Sequence, residues 1–150
     1  MTKGKTVVGV DFGSDSARAV LVDVGTGELL ASSSCAYARW GQGFACAPSE
    51  ARFRQHPLDH QEALRAVLHG VLDGFARRET VVGVSVDATA STPCLTDASG
   101  TPLALRPEFT DDPDAMFVLW KDHTGEEEAR RITDAANADP ARYCRHNANT

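Results

Sequence analysis

The chain has 150 residues, 42% of them hydrophobic and 24% charged, which is the composition of one compact domain able to bury a sizeable core. Its formal net charge of −6, with 15 scattered basic residues, argues against a nucleic acid or an anionic membrane as the main partner. No stretch reaches the roughly 18 to 20 apolar residues of a membrane span, and the apolar run after Met1 stops too early for a secretory signal, so a cytoplasmic protein is expected.

The cysteines and histidines show no spacing typical of a metal or redox site. The four cysteines lie far apart without a Cys-x-x-Cys pair, so free thiols are expected and a disulfide framework is not. His56 and His60 are four residues apart, but Pro57 stands where a helix carrying both would already have to run. A metal site built on histidine or cysteine is therefore not predicted.

The first part of the chain is predicted to form a three-stranded antiparallel meander. Residues 5–12 and 17–23 are nearly continuous apolar runs, a pattern typical of strands covered on both faces. The connection between them is too short for a crossover, so these two strands are expected to pair antiparallel. Turn residues 23–27 then lead into a third strand over residues 28–37.

A long loop is expected next. Residues 38–57 contain glycines and prolines but no hydrophobic periodicity, which predicts irregular structure. Trp40 and Phe44 are the candidates for holding this loop against the rest of the molecule.

An amphipathic helix is predicted over residues 59–78. Apolar side chains recur there at helical spacing on one face, and Asp59 and Glu62 have the spacing of a capping box at its start. The polar residues expected on the outer, solvated face are His60, Arg65, His69 and Asp73.

A fourth strand is predicted over residues 80–87, again with the apolar pattern of a buried strand. Because it follows a helical crossover, it is expected to run parallel to the first strand. That pairing brings Asp87, at its end, near Asp11.

The remaining elements are shorter. Residues 97–100 carry a hairpin-turn signal, residues 106–115 form a loop rich in Pro and Asp, and residues 116–120 are a short strand candidate. A last helix is predicted over residues 125–136, with Thr124 as its N-cap. The expected ion pairs on this helix are Glu126 with Arg130 and Glu127 with Arg131. The polar residues that follow it contain no closing element.

The turn between the first two strands carries residues suited to a phosphate and a metal. Asp11 ends a buried strand, Gly13 permits close backbone approach, and Ser14 and Ser16 offer hydroxyl groups. Neither a G-x-x-x-x-G-K-[ST] motif nor a G-x-G-x-x-G turn opening a helix is present. A hairpin cradle for β- and γ-phosphates is therefore the functional interpretation, with Asp11 holding Mg²⁺ through water. A plain hairpin with a capped turn is the alternative.

Residues 11–18, together with the predicted order of elements, resemble the first phosphate motif of the FGGY carbohydrate kinases. Within that family residues 86–93, 105–109 and above all 114–124 resemble ribulokinases. These kinases use MgATP to phosphorylate L-ribulose at O5, a reaction of arabinose and pentose catabolism. The resemblance covers nearly the whole chain. It implies an α/β fold, a ribonuclease H-like or actin-like ATPase lobe with a mixed sheet, an N-terminal antiparallel meander and packed helices.

The resemblance also implies roles for residues at the phosphates. It places Asp11 near the Mg²⁺–phosphate centre, and Gly13, Ser14 and Ser16 at the ATP phosphates. Arg18 begins the second strand, where a phosphate contact and a structural ion pair both remain open.

A sugar site is implied in the second half of the chain. Ala90 matches a position that borders the sugar in this family, and its small size leaves room for a five-carbon ketose, with Thr89 and Ser91 as weaker candidates. Lys121 and Asp122 follow an apolar strand and are expected to line or support the sugar site, with a surface salt bridge as the alternative.

Length is the main departure from the family pattern. Family members are several times longer and have a second lobe with the adenosine pocket, a second phosphate motif and the aspartate that acts as general base. Residues 1–150 are therefore expected to be the N-terminal part of the first lobe, with the general base beyond residue 150 and no kinase activity in the chain alone. The alternatives are an FGGY kinase for another pentulose or pentitol, and a non-catalytic actin-like nucleotide-binding module. A homodimer of the full-length enzyme also remains open.

Overall fold

A computed structural model describes residues 4–139 and contains a four-stranded sheet, a second sheet of three short strands, three α-helices and five short 3-10 helices within that range. The strands are β1 (Thr6–Phe12), β2 (Ser16–Asp23), β3 (Leu29–Ala36), β4 (Cys46–Ala47), β5 (Arg52–Gln55), β6 (Val81–Ala88) and β7 (Phe117–Val118). The helices are α1 (Ala38–Gly41), α2 (Pro57–Leu72) and α3 (Glu126–Ala138).

The large sheet has the strand order β3-β2-β1-β6. β1 pairs antiparallel with β2, and β2 pairs antiparallel with β3, which confirms the predicted meander. β6 pairs parallel with β1 after the crossover through α2, with Asp11 opposite Asp87. The small sheet has the order β4-β5-β7. The fold class is the predicted one, a mixed α/β fold that starts with antiparallel strands.

The main core lies between the large sheet and α2. Val8 and Leu21 from the sheet and Val67 and Val71 from the helix are almost completely buried there. α2 packs on β2 and β3, because its apolar stripe faces the inward side chains of those strands. A smaller cluster around Met116 forms a second apolar centre.

The prediction of coverage on both faces is wrong for β2, in which Val20 is 36% exposed, and the prediction of a buried fourth strand is wrong for β6. Val84 and Val86 of β6 are each 61% exposed, although they pair in register with Val8 and Val10, which are buried. The physical reason is that α2 lies over β2 and β3 and does not extend over β6, the edge strand.

The segment predicted as an irregular loop contains α1, β4 and β5. β5 pairs with β7, which lies about sixty residues further along the chain, so no local sequence pattern predicted β5. Trp40 packs against the main core and Phe44 against the smaller cluster, as expected for residues that fix this segment.

The start of α2 differs from the prediction. The N-cap is His56, whose Nδ1 accepts a hydrogen bond from the Leu58 N–H at 3.1 Å, and Pro57 occupies the first helical position. Asp59 is buried and accepts from the backbone N–H groups of Arg39 and Trp40, so it does not form the predicted capping box. The helix ends at Leu72, short of the predicted end, just before Gly74 in a left-handed conformation.

The last elements also differ in detail. The turn at residues 97–100 forms, but its flanking strands are reduced to one bridge between Thr96 and Pro102. The N-cap of α3 is Gly125, because the Thr124 hydroxyl donates to Asp122 instead of capping the helix. The ion pairs on α3 are Arg130 with Asp134 and Arg131 with Glu128, not the predicted pairs. Cys144, His146 and the predicted polar tail after Asp139 lie outside the described residues.

Between residues 4 and 139, no helix combines the length and the apolar character that crossing a membrane requires. Cys35, Cys46 and Cys94 are free thiols, as predicted.

Candidate phosphate and sugar site

The hairpin turn between β1 and β2 is closed by one backbone hydrogen bond. The Gly13 N–H donates to the Ser16 carbonyl at 2.9 Å, so this amide is already occupied within the turn. A Cβ atom on Gly13 would lie 3.3 Å from that same carbonyl oxygen, which explains the glycine. Within residues 4–139 the N–H groups of Ser14 and Asp15 meet no acceptor. These two amides are available to an anion.

The turn is attached to the body of the molecule by its carbonyl groups. Gln55 Nε2 donates to the Ser14 carbonyl at 2.6 Å, and the Tyr37 N–H donates to the Asp15 carbonyl at 2.8 Å. The Ser16 hydroxyl donates to the Asp15 carboxylate at 2.8 Å. Gln55, which is 2% exposed, is a site residue that the sequence reasoning missed.

A shallow groove of about 360 Å³ lies beside the ends of β1 and β6. It is lined by Asp11 and Asp87, which are neighbours in the parallel register, and by Arg18, which stands opposite Asp11 on β2. Gly9 also lines the groove, and a Cβ atom at this position would lie 3.3 Å from the Val20 side chain. The side chain of Arg18 is exposed and makes no ion pair with any described residue. The groove thus collects two carboxylates and one guanidinium.

The two carboxylates fit a magnesium ion better than a transition metal. Mg²⁺ prefers oxygen ligands, keeps several waters, and is usually held by one or two carboxylates together with substrate phosphates. No group of three or more His, Cys, Asp or Glu residues able to hold a metal by itself occurs in residues 4–139. Asp11 and Asp87 can therefore contribute to a metal site that a phosphate completes.

The segment after β7 reaches the hairpin turn. Trp120 Nε1 donates to Ser14 Oγ at 3.4 Å, which joins residues 106 positions apart in the sequence. The Lys121 ammonium lies over two aromatic rings, 4.9 Å from the Trp40 centroid and 4.6 Å from the Phe53 centroid. Lys121 is thus held by cation–π contacts, and it forms no salt bridge with any residue from 4 to 139.

Asp122 is a buried anchor, with its side chain 1% exposed. One carboxylate oxygen accepts from Arg54 Nε at 2.7 Å and from the Phe53 N–H at 2.8 Å, and the other accepts from the hydroxyl and N–H of Thr124. Burial raises the pKa of Asp122, but these hydrogen bonds outweigh burial and lower it to about 2. Because both oxygens are engaged, Asp122 is suited to hold its segment in place.

The residues after β6 are tied to the end of β1. The Thr89 N–H and hydroxyl both bond to the Phe12 carbonyl, at 3.0 and 3.1 Å. Ala90 is exposed, and Ser91 adopts a left-handed conformation with φ of 58°. The structure therefore holds this segment at the same edge of the sheet as the phosphate turn.

His60 occupies an interior position, contrary to the prediction of a solvated helix face. Its imidazole stacks on Phe12, Tyr37 and Phe117 with centroid distances of 5.4, 4.9 and 4.6 Å. Burial lowers the pKa of His60 to about 4, and the charge of Asp59 opposes this only in part. Burial also raises the pKa of Tyr37, and nearby carboxylates add to that effect. The three partner rings come from separate parts of the chain outside α2, so no local signal in α2 identified this cluster.

Sequence comparison with known proteins finds similarity to ribulokinases. No family model matches the chain. A ribulokinase from Vibrio parahaemolyticus is 45% identical over 139 residues, which is 91% of this chain and 24% of that protein. A ribulokinase from Geobacillus thermodenitrificans is 36% identical over 138 residues, again 24% of its length. The chain is homologous to the amino-terminal portion of ribulokinases. It spans about a quarter of the length of the relatives it matches.

Solved structures agree with this homology at the level of fold. A xylulose kinase from Rhodospirillum rubrum superposes with a TM-score of 0.67 at 20% identity over 87% of this chain and 23% of that one. A gluconate kinase from Lactobacillus acidophilus has the same TM-score at 13% identity over 89% of this chain and 23% of that one. The predicted relationship to the amino-terminal portion of ribulokinases and the predicted mixed α/β fold with N-terminal antiparallel strands are thus confirmed.

Proposed function

We propose that residues 1–150 form the amino-terminal part of the first lobe of an ATP-dependent ribulokinase, which transfers the γ-phosphoryl group of ATP to O5 of L-ribulose in the cytoplasm. The observation that carries this proposal is the contact between Trp120 and Ser14, at 3.4 Å. It joins the segment that most resembles ribulokinases to the turn that is suited to phosphate. The homology with ribulokinases supports the choice of reaction.

In this proposal the hairpin turn binds ATP phosphates. The unpartnered amides of Ser14 and Asp15 and the Ser14 hydroxyl donate to phosphate oxygens, while the Gly13 N–H stays in the turn. The Ser16 hydroxyl joins them by exchanging its hydrogen bond to the Asp15 carboxylate for one to phosphate. Arg18 projects into the groove beside the turn without a carboxylate partner among the described residues, so its charge is available to a phosphate.

Asp11 and Asp87 would hold Mg²⁺ through their carboxylates or through bound water. When bound, the ion neutralises charge that develops on the phosphate oxygens. Neither aspartate is assigned as the general base, because both line the phosphate groove and the attacking sugar hydroxyl must approach in line from the opposite side of the γ-phosphate. The base is proposed to lie beyond residue 150, in a second lobe.

The sugar side is proposed to include Ala90, Lys121 and, less directly, Thr89 and Ser91. Ala90 is exposed and small, which leaves space for a pentulose. Asp122 fixes its segment through Arg54 and is proposed to support the sugar site, and Lys121, held over two rings beside it, is proposed to line that site.

A coupled assay with MgATP and L-ribulose tests the proposal. The 150-residue chain alone is expected to show no turnover above background, because one lobe cannot clamp the nucleotide and align the sugar hydroxyl. The protein encoded by the complete reading frame is expected to turn over, and Asp11→Asn in that protein is expected to lower kcat by at least about tenfold. Turnover by the short chain would contradict the division of the site between two lobes.

Substrate choice is tested separately on the complete protein. Among a panel of pentuloses and pentitols, L-ribulose is expected to give the highest kcat/KM. A higher value for ribitol or another pentulose would instead favour the related FGGY kinase. Binding of nucleotide with no binding of any sugar would favour a non-catalytic module.

A further inference from the structure

The carbonyl of Ser14 fixes the orientation of the Gln55 side chain. A carbonyl oxygen only accepts hydrogen bonds, so the Gln55 atom that lies 2.6 Å from it must be the amide nitrogen. The other amide atom, Oε1, then faces His60 Nε2 at 3.2 Å. Because Oε1 only accepts, His60 carries its proton on Nε2 and donates it to Gln55. The three groups form one directed chain from α2 through β5 to the hairpin turn.

The two inner members of this chain have little freedom to move. Gln55 is 2% exposed, and the His60 ring is stacked on Phe12, Tyr37 and Phe117 with interplanar angles of 8°, 13° and 22°. A stacked ring can rotate only by losing contacts with its neighbours. His60 therefore holds the Gln55 amide at a fixed position and in a fixed orientation.

Fixing the Ser14 carbonyl also fixes the next amide. The described residues contain no cis peptide bond, and a trans peptide is planar with its C=O and N–H on opposite sides. When Gln55 holds the Ser14 carbonyl towards the interior, the Asp15 N–H points away from Gln55. That N–H is one of the two turn amides without an acceptor among the described residues.

We propose that Gln55, held in place by His60, is a positioning residue that orients the Ser14–Asp15 peptide so that the Asp15 N–H faces the bound phosphate. This proposal rests on the proposed function of the turn as a phosphate site. Gln55 and His60 themselves do not touch the nucleotide. They act through the backbone of the turn.

Nuclear magnetic resonance of the ¹⁵N-labelled chain tests the proposal in two independent measurements. The heteronuclear NOE of the Ser14 and Asp15 amides, without any ligand, reports how firmly the peptide is held. A titration with MgATP, and one with magnesium pyrophosphate, reports affinity for phosphate. In Gln55→Glu a carboxylate would face the Ser14 carbonyl, so the NOE of both amides is expected to fall and both affinities to weaken by about five- to tenfold.

Two further variants separate positioning from stability and charge. Gln61→Glu makes the same amide-to-carboxylate change at an exposed position of α2 and is expected to leave both measurements unchanged. His60→Phe keeps the ring stacking but removes the donor to Gln55, so a loss smaller than that of Gln55→Glu is expected at an unchanged fold. If Gln55→Glu does not fold, His60→Phe still decides the question.

The outcomes distinguish the two proposals. An unchanged NOE at Ser14 and Asp15 in both Gln55→Glu and His60→Phe would overturn the positioning role. If the wild-type chain bound neither MgATP nor magnesium pyrophosphate, the phosphate function of the turn would fail in this chain, while the NOE would still report how firmly Gln55 and His60 hold the peptide.

Discussion

Helices α2 and α3 are of similar length, 16 and 13 residues, yet they relate to the rest of the molecule in opposite ways. α2 buries five residues, among them an aspartate, and lies on the large sheet. α3 buries none, and its charged side chains pair with one another on its own surface. A helical pattern therefore predicts the helix itself. Whether its polar residues are structural depends on what packs over them.

The sharpest test of this contrast compares acidic residues in the first turn of each helix. Asp59→Ala removes a carboxylate that is 1% exposed and accepts from two backbone N–H groups and from Arg39. Leaving these donors unpaired in the interior is expected to cost about 3 kcal/mol of unfolding free energy, measured by urea denaturation. Glu127→Ala, on the exposed first turn of α3, is the control and is expected to cost less than about 0.5 kcal/mol. Equal losses would contradict the comparison.

Truncating apolar side chains on the two helices is a second test of the contrast between α2 and α3. Val67→Ala would open a cavity between α2 and the sheet at a position with 0% exposure, and about 2 kcal/mol is expected from thermal or urea unfolding. Ile132→Ala on α3 removes more carbon atoms, but from a side chain that is 65% exposed, so less than about 0.5 kcal/mol is expected. A large effect at Ile132 would mean that α3 is covered in solution.

A third test measures how the unfolding free energy depends on pH, because α2 carries the buried imidazole of His60. The pKa of His60 is about 4 in the folded chain, below its ordinary value of 6.5, so the unfolded chain takes up a proton first as the pH falls. His60 therefore contributes stability above pH 6.5 that is lost as the pH falls towards 4, by up to about 1.4 kcal/mol per pH unit. The difference in unfolding free energy between wild type and His60→Phe, measured across this window, isolates that contribution. A difference independent of pH would show that folding does not lower the pKa of His60.

The smallest effect is expected on the surface of α3. Arg131→Ala breaks an ion pair with Glu128 in which both side chains are about 60% exposed, so about 0.3 kcal/mol is expected, and less at high salt. A loss that persists at high salt would point to packing that the exposed surface of α3 does not show.

The sequence predicted the parts of the fold that depend on local periodicity. The meander, α2 and the parallel fourth strand follow from apolar spacing and from the length of the connections, and Asp11 and Asp87 met as expected from that register. β5 escaped prediction because the residues Arg52 to Gln55 are mostly polar and pair with a strand about sixty residues later. Periodicity within a segment contains no information about such a partner.

The candidate site divides in the same way. Ser14 and Ser16 could be selected from the turn chemistry of their own segment. Gln55 is recognised as a site residue only from its hydrogen bond to the Ser14 carbonyl, 41 residues earlier in the chain. The burial of Asp122 depends on Arg54, 68 residues earlier, so the sequence could suggest a polar site residue but not its anchoring role. Residues that touch a ligand often lie in recognisable motifs, while those that hold the motif in place are found only in the folded chain.

The indole of Trp120 gives the turn an intrinsic fluorescence signal that can be measured without any added label. Trp120 is 57% exposed and its indole N–H donates to Ser14, so emission from this residue is expected to change when the environment of the turn changes. The chain has two tryptophans, and the other, Trp40, lies beneath Lys121. Trp40→Phe would therefore leave a single tryptophan, which excitation near its red edge selects over the two tyrosines, placed by the fold itself where an anion is expected to arrive.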